Sequence, residues 1–175
     1  MADFSIAFAF MIHNEDYNTN DPRYGQTKID NDGGKVRFGL NSKSFPDLLN
    51  TDFYTSSVEE AFKNAQNLYN SNIWQGMRGA FINSQRVASK MLDMSTNMGV
   101  GQAIKLAQRA AGTVPDGKFG PITLGAINTM DENKMLIGLV EEWNWFIGQI
   151  LINNPANQGY EKAWRARANK LPPAA

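Results

Sequence analysis

The first apolar residues of the chain recur at the spacing that lines one face of an α-helix. They lie three and four residues apart, and this periodicity ends where the polar run from Glu15 to Pro22 begins. A carboxyl group at the apolar end of a helix is partly desolvated. Desolvation disfavours the anion, so the group can keep the proton that a general acid must donate. The pattern therefore predicts a core-facing helix from about Phe4 to Asn14, with Glu15 at its exit as the candidate acid.

The segment from about Asp16 to Asn50 has a different composition. It is rich in Asn, Asp, Gly, Lys and Thr, and apolar residues are sparse. The few that occur alternate over a short stretch, and Asp32-Gly33-Gly34 is a typical turn sequence. We therefore expect a loop and a small β-hairpin here, whose alternating positions are Ile29, Val36, Phe38 and Leu40.

Beyond residue 50 the pattern is helical. Ser57 and Glu60 have the spacing of a capping box, which predicts a helix start. No repeat or low-complexity tract interrupts the chain, so the predicted fold is a mainly α globule with one small hairpin near its N-terminus. Further helices are expected at about 84–94, at 100–111 with Gly112 as a C-terminal cap, from Pro121, at 132–152 as the central core helix, and at 158–170.

Composition excludes several kinds of chemistry. The 175 residues suffice for one well-packed domain, and 17 basic against 17 acidic residues create no net field that would attract nucleic acid. With no cysteine and only His13, neither thiolate nor multi-histidine metal sites can form, so no metal or cofactor is expected. A small basic cluster near the end, Arg165, Arg167 and Lys170, is typical of a solvated face.

The chain offers no predicted membrane span and no predicted signal peptide. Asp3 occupies the position of a positively charged leader region, and no segment is expected to reach the length that a bilayer requires. The expectation is synthesis in the cytoplasm, followed by delivery through a pore, a secretion apparatus or cell breakage.

Several motifs follow one another in a recognisable order. Asn20-Asp21-Pro22 comes shortly after Glu15, and Gly33-Gly34 precedes Phe38-Gly39-Leu40. The stretches 116–124 and 160–169 complete the series. Together they resemble glycoside hydrolase family 108, the lysozyme-like N-acetylmuramidases that often carry a C-terminal peptidoglycan-binding-like region. The resemblance implies a lysozyme-like catalytic half over residues 1–95 and a helical binding-like half over 96–175, packed as one globule.

The resemblance also implies a reaction, which is hydrolysis of the β-1,4 bond between N-acetylmuramic acid and N-acetylglucosamine. Glu15 would be the general acid, and a second carboxylate would activate water or stabilise the sugar cation. Asp32 is the first candidate for this partner because it abuts the glycine turn, followed by Asp30, with Asp21 behind them. The candidate glycan-binding residues are Tyr17, Asn20, Phe38, Trp74 and Asn97, with Tyr54 as a further possibility.

Other functions remain open at this point. A lytic transglycosylase needs only one glutamate, and a non-catalytic wall-binding module would fit Asp16-Tyr17 and Val36, which replace residues typical of the family. A helical interaction protein with no glycan partner is a fourth alternative. The expected partners are glycan strands of the cell wall in the periplasm and an inhibitory immunity protein, and the chain is expected to be a monomer.

Overall fold

The computed structural model describes residues 1–15 and 19–174. It confirms a mainly helical chain with a small antiparallel sheet near the N-terminus, and the sheet has one strand more than the predicted hairpin. The strands are β1 (Lys28–Ile29), β2 (Lys35–Arg37) and β3 (Leu40–Asn41). The α-helices are α1 (Phe4–Asn14), α2 (Val58–Leu68), α3 (Gln85–Met98), α4 (Val100–Ala110), α5 (Pro121–Thr129), α6 (Glu132–Asn153) and α7 (Glu161–Asn169).

The chain divides into two compact units. The helical unit comprises residues 1–11 and 73–175, and the sheet unit comprises residues 12–72. These limits differ from the expected division at residue 95, which lies within α3. Because helical hydrogen bonds run continuously through that position, the chain has no linker there.

Local sequence signals determine the helix starts. Asp3 accepts hydrogen bonds from the main-chain N–H groups of Ser5 and Ile6, at 2.7 and 3.2 Å, and so caps α1. The predicted capping box of α2 is present, with the Ser57 hydroxyl accepting from the N–H of Glu60 and the Glu60 carboxylate reaching back to Ser57. The predicted bounds of α1 and the predicted start of α2 are confirmed.

The three strands pair in sequence order. Lys28 lies opposite Val36, and Ile29 lies opposite Lys35. β2 and β3 pair with Arg37 opposite Leu40, so only two residues, Phe38 and Gly39, connect them. The sheet unit thus contains two consecutive tight turns.

The length of α6 differs from the expectation that no segment is long enough to span a bilayer. Its 22 residues are long and apolar enough, by length and composition, to cross a membrane, which sequence reasoning did not anticipate. Its carboxylate Glu142 forms an ion pair with Arg109 of α4, and one face is buried within the helical unit. These are the contacts of a core helix in a helical bundle. The buried positions are Met135, Leu136, Leu139, Trp143, Ile147 and Leu151.

A buried polar network joins α3 to the end of α7. The ammonium group of Lys90 donates to the main-chain oxygens of Ala168 and Lys170, at 2.8 and 2.7 Å, and lies 4.5 Å from the centre of a Trp143 ring. These carbonyls end α7 and have no partner within the helix, so the lysine takes the place of a C-terminal cap.

An ion pair completes this network. Asp93 is fully buried and accepts from the Arg167 guanidinium at 3.1 and 2.8 Å. The expectation that Arg167 belongs to a solvated basic face is therefore wrong, because α7 packs this side chain against a buried carboxylate. Burial lowers the pKa of Lys90 to about 8, against the opposing charge of Asp93 and with the help of Arg167.

We expect Lys90→Met to lower the free energy of unfolding by about 1–3 kcal/mol, because buried carbonyl oxygens lose their donor. Chemical denaturation at pH 7 measures the change. Lys134→Met, at an exposed position of α6, is the matched control and should change the stability by less than about 0.5 kcal/mol.

The same pair of variants tests the pKa of Lys90. Lysine in the unfolded chain has a pKa of 10.5, so between about pH 8 and 10.5 the unfolded state binds more protons than the folded state. The stability of the wild type should therefore rise relative to Lys90→Met as the pH increases through this window. A difference that stays constant across the window would contradict the shifted pKa.

Candidate functional site

A pocket of about 150 Å³ lies within the sheet unit, and Glu15 is part of its lining. Glu15 follows the last residue of α1, and its main-chain N–H donates to the carbonyl of Ile12 at 3.2 Å. The residue is half-buried, as a carboxyl group at a helix exit was expected to be. The lining consists of Glu15, Asp21, Arg23, Tyr24, Gly25, Gln26, Lys28, Val36, Arg37, Phe38 and Gly39.

Among the described residues, Asp21 is the second carboxylate of this pocket, and it accepts hydrogen bonds from Arg23. The guanidinium donates to Oδ1 through Nε at 3.0 Å and to Oδ2 through Nη2 at 2.8 Å, while the main-chain N–H of Arg23 donates to Oδ1 at 2.8 Å. These hydrogen bonds lower the pKa of Asp21 to about 2. Asp21 is therefore an anion at neutral pH, where it has no proton to give.

The hairpin aspartates lie elsewhere. Among the described residues, neither Asp30 nor Asp32 lines the pocket, and both are exposed. The amide of Asn41 donates to Asp30 at 3.1 Å and to Asp32 at 3.2 Å, and the N–H of Gly34 donates to Asp32 at 2.7 Å. The Gly34 bond is the main cause that lowers the pKa of Asp32. Both side chains thus stabilise the β1–β2 turn, the ordinary use of Asp next to glycine.

The aromatic residues considered for glycan binding have different surroundings. Phe38 is 6% exposed, and its ring packs edge-on against Tyr24 and Phe62, with centroids 5.9 and 5.5 Å away. Trp74 is 4% exposed within the helical unit and packs against Phe4. Tyr54, the further possibility, is 8% exposed, packs edge-on against Phe53 and does not line the pocket, so it is not a glycan-binding residue of this pocket. None of these rings presents an open face for a sugar, because each one fills a core position.

The remaining candidates for glycan binding are polar or lie outside the description. Asn20 is exposed immediately before Asp21. Asn97 is exposed in the helical unit and lines another pocket there, together with Trp143 and Trp164. Tyr17 lies outside the described residues. The pocket that contains Glu15 therefore includes one of the predicted glycan-binding residues, Phe38.

Sequence reasoning missed the role of Arg37. Its buried guanidinium donates to the main-chain oxygens of Gly25, Phe53 and Ser56, at 2.6, 2.7 and 3.0 Å, and so ties the pocket loop to the segment before α2. The apolar alternation predicts that Val36, Phe38 and Leu40 face inward, which would leave Arg37 facing solvent. Because the turn begins at residue 38, that alternation does not continue through it.

The two residues of the β2–β3 turn both have positive φ, at 51° for Phe38 and 77° for Gly39. This backbone matches the right-handed twist of a two-residue hairpin, but it is unfavourable for phenylalanine by about 1–2 kcal/mol. Burial of the Phe38 ring and a 3.0 Å hydrogen bond from the Tyr69 hydroxyl to the Phe38 carbonyl offset this strain.

Gly39 is the wall against which the Glu15 side chain rests. A Cβ atom on Gly39 would lie 3.5 Å from Cδ of Glu15 and 2.6 Å from the Tyr69 hydroxyl oxygen. Glycine is thus required for two reasons, the positive φ and the close approach of the Tyr69 phenol, whereas the Glu15 carboxyl group lies at an ordinary van der Waals distance.

The family model of glycosyl hydrolase 108 matches residues 19–99, a span that includes Asp21 and all three strands and begins after Glu15. Residues 19–99 are a glycosyl hydrolase 108 domain. The resemblance seen in the sequence is confirmed over this span, and the chain is a glycoside hydrolase, a peptidoglycan hydrolase of the muramidase type.

Solved structures give the same fold. SagA of Brucella abortus is similar over 94% of this chain and 92% of that one, with a TM-score of 0.68 and 18% sequence identity. At this identity the likeness establishes the fold, which is lysozyme-like. No curated protein sequence matches the chain.

The described part of the chain contains no cluster of three or more His, Cys, Asp and Glu side chains that could hold a metal ion. The described polar side chains that line the pocket are carboxylates, guanidinium groups, a lysine, the Tyr24 phenol and the Gln26 amide. Such a set suits acid and base chemistry on a glycosidic bond.

We expect Gly39→Ala to lower the free energy of unfolding of this hydrolase by about 2–4 kcal/mol, from the strained φ and the overpacked methyl group together. It should also lower the rate of hydrolysis of purified peptidoglycan, because the methyl group overlaps the Tyr69 hydroxyl, which donates to the Phe38 carbonyl in the turn beside Glu15. Gly33→Ala is the matched control, since Gly33 has a φ of 79° but open space around its Cα. Equal losses of stability and activity in the two variants would contradict the role of Gly39.

Proposed function

We propose that this hydrolase cleaves the β-1,4 bond between N-acetylmuramic acid and N-acetylglucosamine, with Glu15 donating the proton to the bridging oxygen. The observation that supports this most strongly is the pairing of two unlike carboxyl groups in one pocket. Asp21 is engaged by the Arg23 guanidinium, whereas Glu15 rests half-buried against Gly39. In glycosidases, one carboxyl group acts as the acid and another stays an anion, and the different environments of the two groups determine these roles.

Asp21 takes the second role in this proposal. Its low pKa keeps it negatively charged, so it can stabilise the positive charge that develops on the sugar carbon or orient an attacking water. This replaces Asp32 and Asp30 as the proposed partners of Glu15, because their oxygens hold the β1–β2 turn and lie outside the pocket lining.

A second candidate function is that of a lytic transglycosylase. Both oxygens of Asp21 accept hydrogen bonds from Arg23, and a carboxylate held in this way is a weaker base for water. In that reaction Glu15 would act first as acid and then as base, and the sugar's own hydroxyl would close a 1,6-anhydro ring. Mass spectrometry of the released fragments separates the two reactions, since only the transglycosylase produces anhydro ends.

The proposed substrate determines the proposed place of action. Peptidoglycan is the material of the cell wall, so we propose that the protein acts there, in the periplasm. An immunity protein that covers the pocket is the matching proposal for a partner.

We expect Glu15→Gln to reduce the release of reducing ends from purified peptidoglycan by at least about 100-fold, because the amide keeps the shape but has no transferable proton. The far-ultraviolet circular dichroism and the unfolding midpoint should match those of the wild type. Glu59→Gln, on the exposed side of α2, serves as the control and should retain full activity. Substantial activity in Glu15→Gln would reject Glu15 as the acid.

We expect Asp21→Asn to lower kcat by about 100-fold or more, because the anion that faces the developing cation is lost. Asp32→Asn keeps an oxygen that can accept from Gly34 and should leave kcat within about twofold. If Asp21→Asn remains active and anhydro ends are found, the transglycosylase is the correct function. If Asp32→Asn is the inactive variant, the assignment to Asp21 is wrong.

A further inference from the structure

The buried hydroxyl of Tyr69 lies behind two residues that line the pocket, Phe38 and Gly39. Tyr69 follows the last residue of α2 and is 2% exposed, and its Oη donates to the carbonyl of Phe38 at 3.0 Å. That carbonyl belongs to the peptide between Phe38 and Gly39, the centre of the β2–β3 turn. A buried side chain thus determines the orientation of a peptide that lines the pocket.

The same peptide is in contact with the proposed acid. A methyl group on Gly39 would lie 2.6 Å from the Tyr69 oxygen and 3.5 Å from Glu15 Cδ, so the phenol and the carboxyl group flank one Cα atom. Any rotation of the Phe38–Gly39 peptide would therefore move the surface that supports Glu15.

The turn needs such a restraint. Phe38 has a φ of 51°, which side chains other than glycine adopt rarely, and a peptide in a two-residue turn can rotate without disturbing the paired strands on either side. The ring contacts of Phe38 with Tyr24 and Phe62 fix its side chain, but they do not fix its carbonyl. The Tyr69 hydroxyl donates a hydrogen bond to that carbonyl.

We propose that Tyr69 is a positioning residue for the reaction, which acts through the Phe38–Gly39 turn to hold the Glu15 carboxyl group in its productive orientation. This inference rests on the proposed role of Glu15 as the acid. Tyr69 does not touch the sugar in this scheme, so its hydroxyl contributes to the chemical step and not to the binding of glycan.

The chain offers a closely matched control. Tyr54 is also buried in the sheet unit, and its hydroxyl donates to the carbonyl of Leu40 at 3.3 Å, one residue beyond the turn. Tyr54→Phe and Tyr69→Phe each remove one buried tyrosine hydroxyl that donates to a main-chain oxygen of the same hairpin. Only the Tyr69 bond is made to the turn that supports Glu15.

The experiment compares Tyr69→Phe, Tyr54→Phe, Glu15→Gln and the double variant Glu15→Gln/Tyr69→Phe on soluble glycan fragments from purified peptidoglycan. We expect Tyr69→Phe to lower kcat by roughly 10- to 100-fold with KM within about twofold, the size of effect that a misplaced catalytic group causes. Tyr54→Phe should keep kcat within about threefold. The double variant should be no slower than Glu15→Gln, because the hydroxyl acts through that carboxyl group.

The outcomes separate the inference from the proposed function. If Glu15→Gln is inactive and Tyr69→Phe has the kcat of Tyr54→Phe, the positioning role is wrong and the proposed function stands. A loss that appears in KM alone, or a double variant slower than Glu15→Gln, also overturns the positioning role. If Glu15→Gln is active, the proposed function fails, and the inference fails with it whatever Tyr69→Phe does.

The unfolding midpoints of both tyrosine variants show whether a lower kcat is caused by a loss of stability. Each variant loses one buried hydrogen bond, so the two midpoints should fall by similar amounts. A much larger fall for Tyr69→Phe, with circular dichroism showing loss of fold, would reassign Tyr69 to a structural role and overturn the inference.

Discussion

The pocket that contains Glu15 depends on one constraint, the backbone of the two-residue turn at Phe38 and Gly39. Both turn residues have positive φ, and the absence of a side chain at Gly39 leaves room for the Tyr69 hydroxyl, with the Glu15 side chain within van der Waals range of the same position. The strain at Phe38 persists because the rest of the sheet unit determines the position of its ring. The small sheet thus has a larger effect on the site than its length indicates.

The two carboxyl groups of the pocket illustrate how environment assigns a role. Asp21 and Glu15 are chemically similar, but Asp21 accepts three hydrogen bonds from one arginine, and its pKa falls to about 2. The loop between α1 and β1 supplies both Asp21 and Arg23, so this local interaction forms with little help from the remainder of the fold. The anion that the proposed mechanism assigns to Asp21 thus comes from two residues that are two positions apart.

In the helical unit, by contrast, the sequence does not indicate which charged residues are buried. Lys90, Asp93 and Arg167 look like surface residues in the sequence, yet the first two are completely buried. Their burial follows from the packing of α3 against the end of α7, where free carbonyl oxygens need a donor and a buried carboxylate needs a cation. No periodicity reveals such a network, because both ends of each interaction are far apart along the chain.

Sequence alone determined the features that depend on neighbouring residues. The bounds of α1, the capping box of Ser57 and Glu60, the glycine turn at residue 33 and the family motifs all follow from local patterns. The same kind of pattern indicates Glu15 as a candidate, because the residue at which the apolar periodicity of a helix ends can be read from the sequence alone. Its presence in a pocket agrees with that choice, and its role as the acid stays a proposal.

Only the tertiary structure decided which side chains lie close together in the pocket. The sequence could not rank Asp21 above Asp32, because that choice depends on how the loop folds beside β2 and on which oxygens Asn41 occupies. Nor could it show that Phe38 and Trp74 fill cores, or that Arg37 is buried. Local propensity operates over a few residues, whereas the site brings together positions 24 to 30 residues apart, such as Glu15 with Gly39 and Gly39 with Tyr69.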